Sequence, residues 1–170
     1  IMLDSLRHID LNIAVSMRAK DAFKDLFKVD NIVSIRNLMD TSGLIEKINE
    51  VCDIPYDSNV FNLVCVGRFH AQKAMDRLVY AMASLKETNI SAHLYLVGDG
   101  ELKVACEMLA KQLGVYEMIT FTGSKRNPMP YIKQADLFLL PSLYEGYPTT
   151  IIESFFFFFF LLDWDMSVVF

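Results

Sequence analysis

Two periodicities of apolar residues divide this chain into short strands and longer helices. Leu11–Val15 (Leu-Asn-Ile-Ala-Val) reads as a short buried strand, and Met17–Phe27 places Ala19, Ala22, Phe23, Leu26 and Phe27 at helical spacing. Asn31–Ile35 is a second strand-like run. After the polar break 36–40, Ser42 is placed to cap a helix running to about Val51. Asp53–Asn59, with Pro55, Asp57, Ser58 and Asn59, carries a loop signature. From Phe61 the rhythm becomes regular. Asn62–Val66 predicts a strand stopping at Gly67-Arg68, and Met75–Glu87 a helix with Leu78, Val79, Met82 and Leu85 on one face. Ala92–Val97 predicts a strand ending in Gly98-Asp99-Gly100. Glu101–Leu113 predicts a helix stopped by Gly114, a common left-handed cap position. Ile119–Thr122 closed by Gly123, a short helix over Pro130–Gln134 and a strand over Leu137–Leu140 complete the series. Strands alternating with helices of this length imply βαβ units and an α/β fold, a Rossmann-like parallel sheet flanked by helices. Such sheets bind ligands beyond the carboxyl ends of their strands, where Gly67, Gly98, Gly123 and Glu145 converge.

The stretch Leu137–Ser154 concentrates the candidate chemistry. It starts as a strand, breaks at Pro141, crosses a polar loop and restarts as a helix near Pro148. Glu145 and Glu153 bracket the loop and the helix start, with seven residues between them. Proline suits a first helical turn because its missing N–H has no partner there in any case. The free N–H groups of that turn form an anion site, and Gly146 permits close approach of the backbone. Phosphate at one end of a ligand and a sugar diol at the other fit this layout; so does a plain capped strand-loop-helix with two solvated carboxylates. Arg68 and Lys73, five residues apart after the first regular strand, combine a planar donor fork with a point charge and suit a diphosphate. Taken alone, they are equally two solvated cations. His70 in the same loop is more simply incidental.

Composition narrows the classes. The 170 residues suit one α/β domain with a piece of a second. A net charge of −5 without a basic run argues against a nucleic-acid surface. Cys52, Cys65 and Cys106 are scattered without metal-ligand spacing, which fits a reducing cytoplasm, and Cys65 in its apolar run reads as a buried thiol. Gly98-Asp99-Gly100 is not completed to the dinucleotide fingerprint, since no third glycine follows at the required spacing, and no Walker-type loop is present. The chain shows no signal peptide and no initiator Met, so it is expected to begin inside a longer protein.

The ordered set Val66-Gly67-Arg68-Phe69 with Lys73 and Asp76, Leu96–Gly100, Phe121-Thr122-Gly123, Ala135–Ser142 and Glu145-Gly146-Tyr147-Pro148 through Glu153 resembles a known family. It is similar to the C-terminal, nucleotide-sugar-binding half of the retaining glycosyltransferases of the two-Rossmann-domain type (GT-B), family 4, over about Leu11–Ser154. The resemblance implies that Arg68 and Lys73 hold the donor diphosphate and that Glu145 lies near the transferred sugar. It assigns Glu153 to the ribose hydroxyls. Gly146, Tyr147, Pro148 and Thr149 would contact phosphate and sugar, and the loop after Gly123 would border the base. It implies no metal and no cofactor beyond the nucleotide-diphosphate-sugar donor, a glycan or lipid-linked acceptor, and a cytoplasmic place at the inner face of the membrane. On the same grounds, residues 1–36 are a remnant of the acceptor-binding domain, which would supply any peripheral membrane contact, and residues 37–154 are the donor-binding domain. A fragment lacking the acceptor half is expected to be inactive alone. A nucleotide-sugar-binding module without transfer activity, or an α/β partner-binding module, are the alternatives. Two departures stand out: Ala74 follows the lysine where the family usually has glycine, and Arg36 stands where proline is usual.

Residues 155–170 do not continue the pattern. Phe155–Phe160 and then Leu161-Leu162 give eight apolar residues in a row, too few for a membrane span of about 20. A six-phenylalanine run is a poor specific core and an aggregation hazard. The tail reads as a reading-frame slip in a T-rich codon run followed by premature termination; a genuine but divergent apolar terminus is the alternative. Reading the codons of Trp164–Ser167 one base further on gives Gly, then Ile or Thr, and permits Cys and then Pro. That resembles the family's Gly-x-Pro element with one extra residue.

Overall fold

The computed structural model describes residues 8–37, 41–145 and 160–163, with positions 41–42 and 160–163 described by their backbone. A first βαβ unit joins β1 (Asn12–Ala14), α1 (Met17–Phe27) and β2 (Ile32–Ser34), with the two strands parallel. Ser16 caps α1, its hydroxyl accepting from the Ala19 N–H at 3.1 Å, which satisfies one of the donors left free in a first turn. Helix α2 spans Thr41–Ile48. It therefore begins before Ser42, the expected cap, and ends short of Val51.

The main sheet contains β3 (Phe61–Val66), β4 (Ala92–Val97), β5 (Ile119–Gly123), β6 (Leu137–Leu140) and β7 (Phe160–Asp163). All its ladders are parallel, in the order β5-β4-β3-β6-β7. The connecting helices are α3 (Met75–Glu87), α4 (Lys103–Gln112) and α5 (Met129–Gln134). Helix α4 starts two residues later than the periodicity predicts. A short 3-10 turn, Ala71–Lys73, precedes α3 and was not legible from periodicity.

The strands bury side chains on both faces, as a covered parallel sheet requires. On one face Leu63, Cys65, Leu94, Leu96 and Leu137 pack with Met75, Leu78, Val79 and Met82 of α3 and Cys106 and Ala110 of α4. On the other, Val64, Tyr95, Val97, Phe138 and Leu140 pack with Leu44 of α2 and Met129, Tyr131 and Ile132 of α5. Each fully buried aliphatic or aromatic side chain contributes about 1.5–3 kcal/mol. Cys65 is the expected buried thiol. It lies 3.4 Å from the Met75 sulfur, and burial pushes it up to about 12. Among the described residues no helix is long and apolar enough to cross a membrane.

Two features of this fold lie outside the expectations. Four residues of the apolar tail, Phe160–Asp163, form the edge strand β7, in register from Leu137↔Phe160 to Leu140↔Asp163. A short apolar run suits a parallel strand as readily as it suits a poor core. The expected helix restart near Pro148, most of the linker and the rest of the tail lie outside the described residues.

The carboxyl ends of β3, β4 and β5 are drawn unusually close. Gly67 N–H donates to Val97 O at 3.0 Å and Gly98 N–H to Gly123 O at 3.0 Å. Gly98 has φ +150°, and a Cβ there would lie 1.8 Å from the Gly67 carbonyl oxygen. A Cβ on Gly100 would lie 2.5 Å from the Phe69 oxygen. Ala74, in contrast, carries φ +47° with its Cβ present, a conformation that costs an L-residue roughly 1–2 kcal/mol.

Opposite outcomes are expected from these positions. Gly98→Ala should destabilise the fold by at least about 3 kcal/mol, since the obstacle is backbone. Ala74→Gly should stabilise it by up to about 1 kcal/mol, relief of the strained φ exceeding loss of a buried methyl. Urea unfolding of both variants checks this, and a destabilised Ala74→Gly would refute the strain argument.

Candidate donor-binding site

The strand order places β3 at the sheet centre, with β4 and β5 on one side and β6 and β7 on the other. The connections reverse between β3 and β6, which is the topological switch point where open α/β sheets form their crevice. At their amino ends the two strands are locked: Asn62 N–H donates to the Asp136 carboxylate at 2.7 Å and Asp136 N–H to Asn62 O at 2.8 Å. At their carboxyl ends the loops clasp instead. Leu143 N–H donates to Gln72 O at 2.8 Å, and the Gln72 side-chain amide donates to Tyr144 O at 2.7 Å.

Beyond that clasp, Lys73 Nζ meets Glu145 Oε1 at 2.5 Å. The Glu145 side chain is only 8% exposed and that of Lys73 22%. Glu145 is therefore not a solvated carboxylate. It sits nearly buried in a charge-assisted hydrogen bond. The ammonium has three N–H donors, and this bond uses one of them.

Arg68 is placed differently. Its guanidinium meets Glu101 at 3.3 Å, with the two side chains 71% and 49% exposed. An exposed pair of this kind contributes little, about 0–1 kcal/mol, and leaves the arginine free to exchange partners. His70 Nε2 lies 3.6 Å from the same carboxylate, while its Nδ1 accepts from the Gln72 N–H at 3.2 Å and caps the 3-10 turn. The Glu101 carboxyl is held below its usual range, first by its own backbone N–H and then by the Arg68 and His70 charges. Arg68 and Lys73 thus stand at one strand end, but each has its own carboxylate. That separation was not legible from their spacing.

Arg68 also lines a cleft of about 380 Å³ with Gly67, Val97, Gly98 and Asp99, whose opposite wall is Ser124, Lys125 and Pro128. Three strand ends, those of β3, β4 and β5, therefore meet around one opening. Gly67, Gly98, Gly123, Arg68, Lys73 and Glu145 all lie at this edge of the sheet. Gly146, Tyr147, Pro148, Thr149 and Glu153 lie outside the described residues. Among the described residues no three of His, Cys, Asp and Glu gather closely enough to share a metal ion.

Residues 60–157, more than half of the chain, match the family described as Glycosyl transferases group 1. The chain belongs to this family. Within it, the chain is 31% identical over 148 residues to an uncharacterized glycosyltransferase of Methanocaldococcus jannaschii, covering 84% of this chain and 36% of that protein. It is 28% identical over 152 residues to the lipopolysaccharide core biosynthesis glycosyltransferase LpsE of Rhizobium meliloti, covering 89% of this chain and 43% of that one. The chain thus spans roughly two fifths of the length of these curated relatives. Its fold matches that of a S. aureus TarM variant in complex with fondaparinux, alpha-GlcNAc-glycerol and UDP, with a TM-score of 0.77 at 17% identity over 98% of this chain and 32% of that one. The five-stranded parallel sheet with helices on both faces is a Rossmann-like half of the GT-B fold.

For this family member the buried pair has a measurable signature. Lys73→Met leaves the Glu145 carboxylate without its partner and should cost about 3 kcal/mol, the lower end for breaking a buried pair. The double variant Lys73→Met/Glu145→Gln should recover part of that loss. Denaturant unfolding of the singles and the double measures the coupling; additive effects below 1 kcal/mol would show the pair to be superficial.

Proposed function

We propose that this chain carries the donor-binding half of a glycosyltransferase of family 4, which moves a sugar from a nucleotide-diphosphate-sugar to a glycan or lipid-linked glycan acceptor. The observation that carries this reading is the cationic edge at the switch point. Among the described residues Arg68 is held only by an exposed ion pair, and Lys73 is fixed by a nearly buried carboxylate that takes one of its three donors. Glycosidic transfer from such a donor releases a nucleoside diphosphate, and negative charge builds on that leaving group. Preorganised cations stabilise such charge without reorganising at the moment of reaction. Arg68 supplies a planar fork and Lys73 a point charge to the diphosphate. Glu145 keeps the ammonium in place and lies beside the transferred sugar.

Glu153 is assigned to the ribose hydroxyls, and Gly146, Tyr147, Pro148 and Thr149 to phosphate and sugar contacts, by resemblance to the family. Transfer proceeds with retention through an oxocarbenium-like state on one face of the sugar, with no metal and no protein nucleophile. The name of the LpsE relative supports polysaccharide assembly as the setting, and the UDP in the TarM complex supports a nucleoside diphosphate as ligand. The acceptor is met at the cytoplasmic face of the membrane through sequence outside this chain, without which the chain does not turn over.

Calorimetric titration with UDP, GDP, ADP and their sugar conjugates tests this reading. One nucleotide should bind, and Arg68→Ala, Lys73→Ala and Glu153→Ala should each weaken it by about 1–3 kcal/mol, the range for losing a charged hydrogen-bond partner. Unchanged affinity in all three variants would remove the assignment.

A further inference from the structure

The segment after α2 is fastened to one wall of the strand-end cleft by residues distant in the chain. Asp53 Oδ2 accepts from Lys125 Nζ at 2.5 Å, and Asp53 Oδ1 accepts from the Tyr131 hydroxyl. The Lys125 ammonium also stands 5.4 Å from the centroid of the Tyr131 ring. The three side chains therefore close a triangle. Further bonds run the same way: Asn127 Nδ2 donates to Lys47 O at 2.7 Å and Lys133 Nζ to Asn49 Oδ1 at 3.0 Å. Tyr131 is 2% exposed and belongs to the core beneath the sheet, so the triangle is anchored in packed structure. Lys125 is the first cause holding the Asp53 carboxyl below its usual range.

Lys125 and its neighbours Ser124 and Pro128 form the wall facing Gly98 and Asp99. The phosphate-binding cations proposed above lie on the β3/β6 side of this opening. A ligand whose diphosphate sits at Arg68, and whose sugar lies toward Glu145, has its nucleoside end in the cleft between β4 and β5. On the facing side the strand ends are held by the Gly67–Val97 and Gly98–Gly123 hydrogen bonds, with Arg68 and Asp99 as the polar side chains lining the cleft. The width of the cleft is therefore set by where the loop 124–128 stands.

We infer that Asp53 is a positioning residue for nucleoside recognition: it holds Lys125 and Tyr131 so that the loop 124–128 stands as a fixed wall of the donor cleft. Asp53 touches no ligand in this scheme and acts through Lys125. The inference rests on the donor-site reading, and it divides the ligand into two ends with separate determinants. A clasp that served stability alone would affect both ends alike.

Titration of the purified protein with UDP, GDP, ADP and inorganic pyrophosphate separates these cases. Asp53→Asn should weaken the preferred nucleoside diphosphate about tenfold, equivalent to 1.4 kcal/mol, while pyrophosphate affinity stays within twofold. The charge-swapped double variant Asp53→Lys/Lys125→Asp should recover a large part of the nucleotide affinity. Should Asp53→Asn not fold, the same split is read on that double variant against Lys125→Asp alone. Nucleotide affinity unchanged in Asp53→Asn, or pyrophosphate weakened by the same factor, overturns the inference. Wild-type protein that binds pyrophosphate and no nucleotide overturns it while sparing the cation assignment. Wild-type protein that binds neither removes the donor-site reading, and this inference with it.

Discussion

The ion pair between Lys73 and Glu145 is the constraint around which the rest of the site is arranged. Both side chains are largely shielded from water, and a carboxylate in that position is costly without a partner. The partner comes from a different βα loop, across the switch point. The pair therefore requires that β3 and β6 be neighbours, that the 3-10 turn Ala71–Lys73 form, and that Gln72 bind the loop at Leu143 and Tyr144. A single electrostatic requirement ties the topology of the sheet to the placement of a cation at the carboxyl ends of its strands.

A second requirement is steric. The turn at Gly98-Asp99-Gly100 passes so near the Gly67 and Phe69 carbonyls that a side chain at either glycine would meet backbone. This closeness brings three strand ends around one opening with main-chain groups exposed to it. Ala74 shows the converse. Its left-handed backbone persists without glycine, because the turn that delivers Lys73 and the start of α3 on either side leave that residue no other course.

Charge along this edge is distributed rather than pooled. Arg68 shares an exposed carboxylate, Lys73 a buried one and Lys125 a third. The Arg68 pair, exposed on both sides, exchanges readily with an incoming anion, and the buried Lys73 pair holds its cation in place. The matched residues 60–157 of the glycosyl transferases group 1 family contain this edge and the cations on it. The Asp53 triangle extends the arrangement beyond the strand ends, to a segment that local sequence describes only as a loop.

The sequence by itself determined the order and kind of the elements. Helices Met17–Phe27 and Met75–Glu87 and strands Ala92–Val97 and Leu137–Leu140 coincide with the periodicity, because burial of one helical stripe or of both strand faces leaves a direct mark on residue order. The convergence of Gly67, Gly98, Gly123 and Glu145 at one edge was equally legible, since a parallel sheet puts all its strand ends on one side. Boundaries were less so: α2 begins one residue before the expected cap Ser42, and α4 two residues after the expected start at Glu101. Strand β7 was missed because an apolar run bears no sign of what it pairs with. Tertiary structure alone decided which carboxylate each cation meets. Lys73 and Glu145 are 72 residues apart, as are Asp53 and Lys125, and Coulomb attraction at contact distance has no counterpart in sequence spacing.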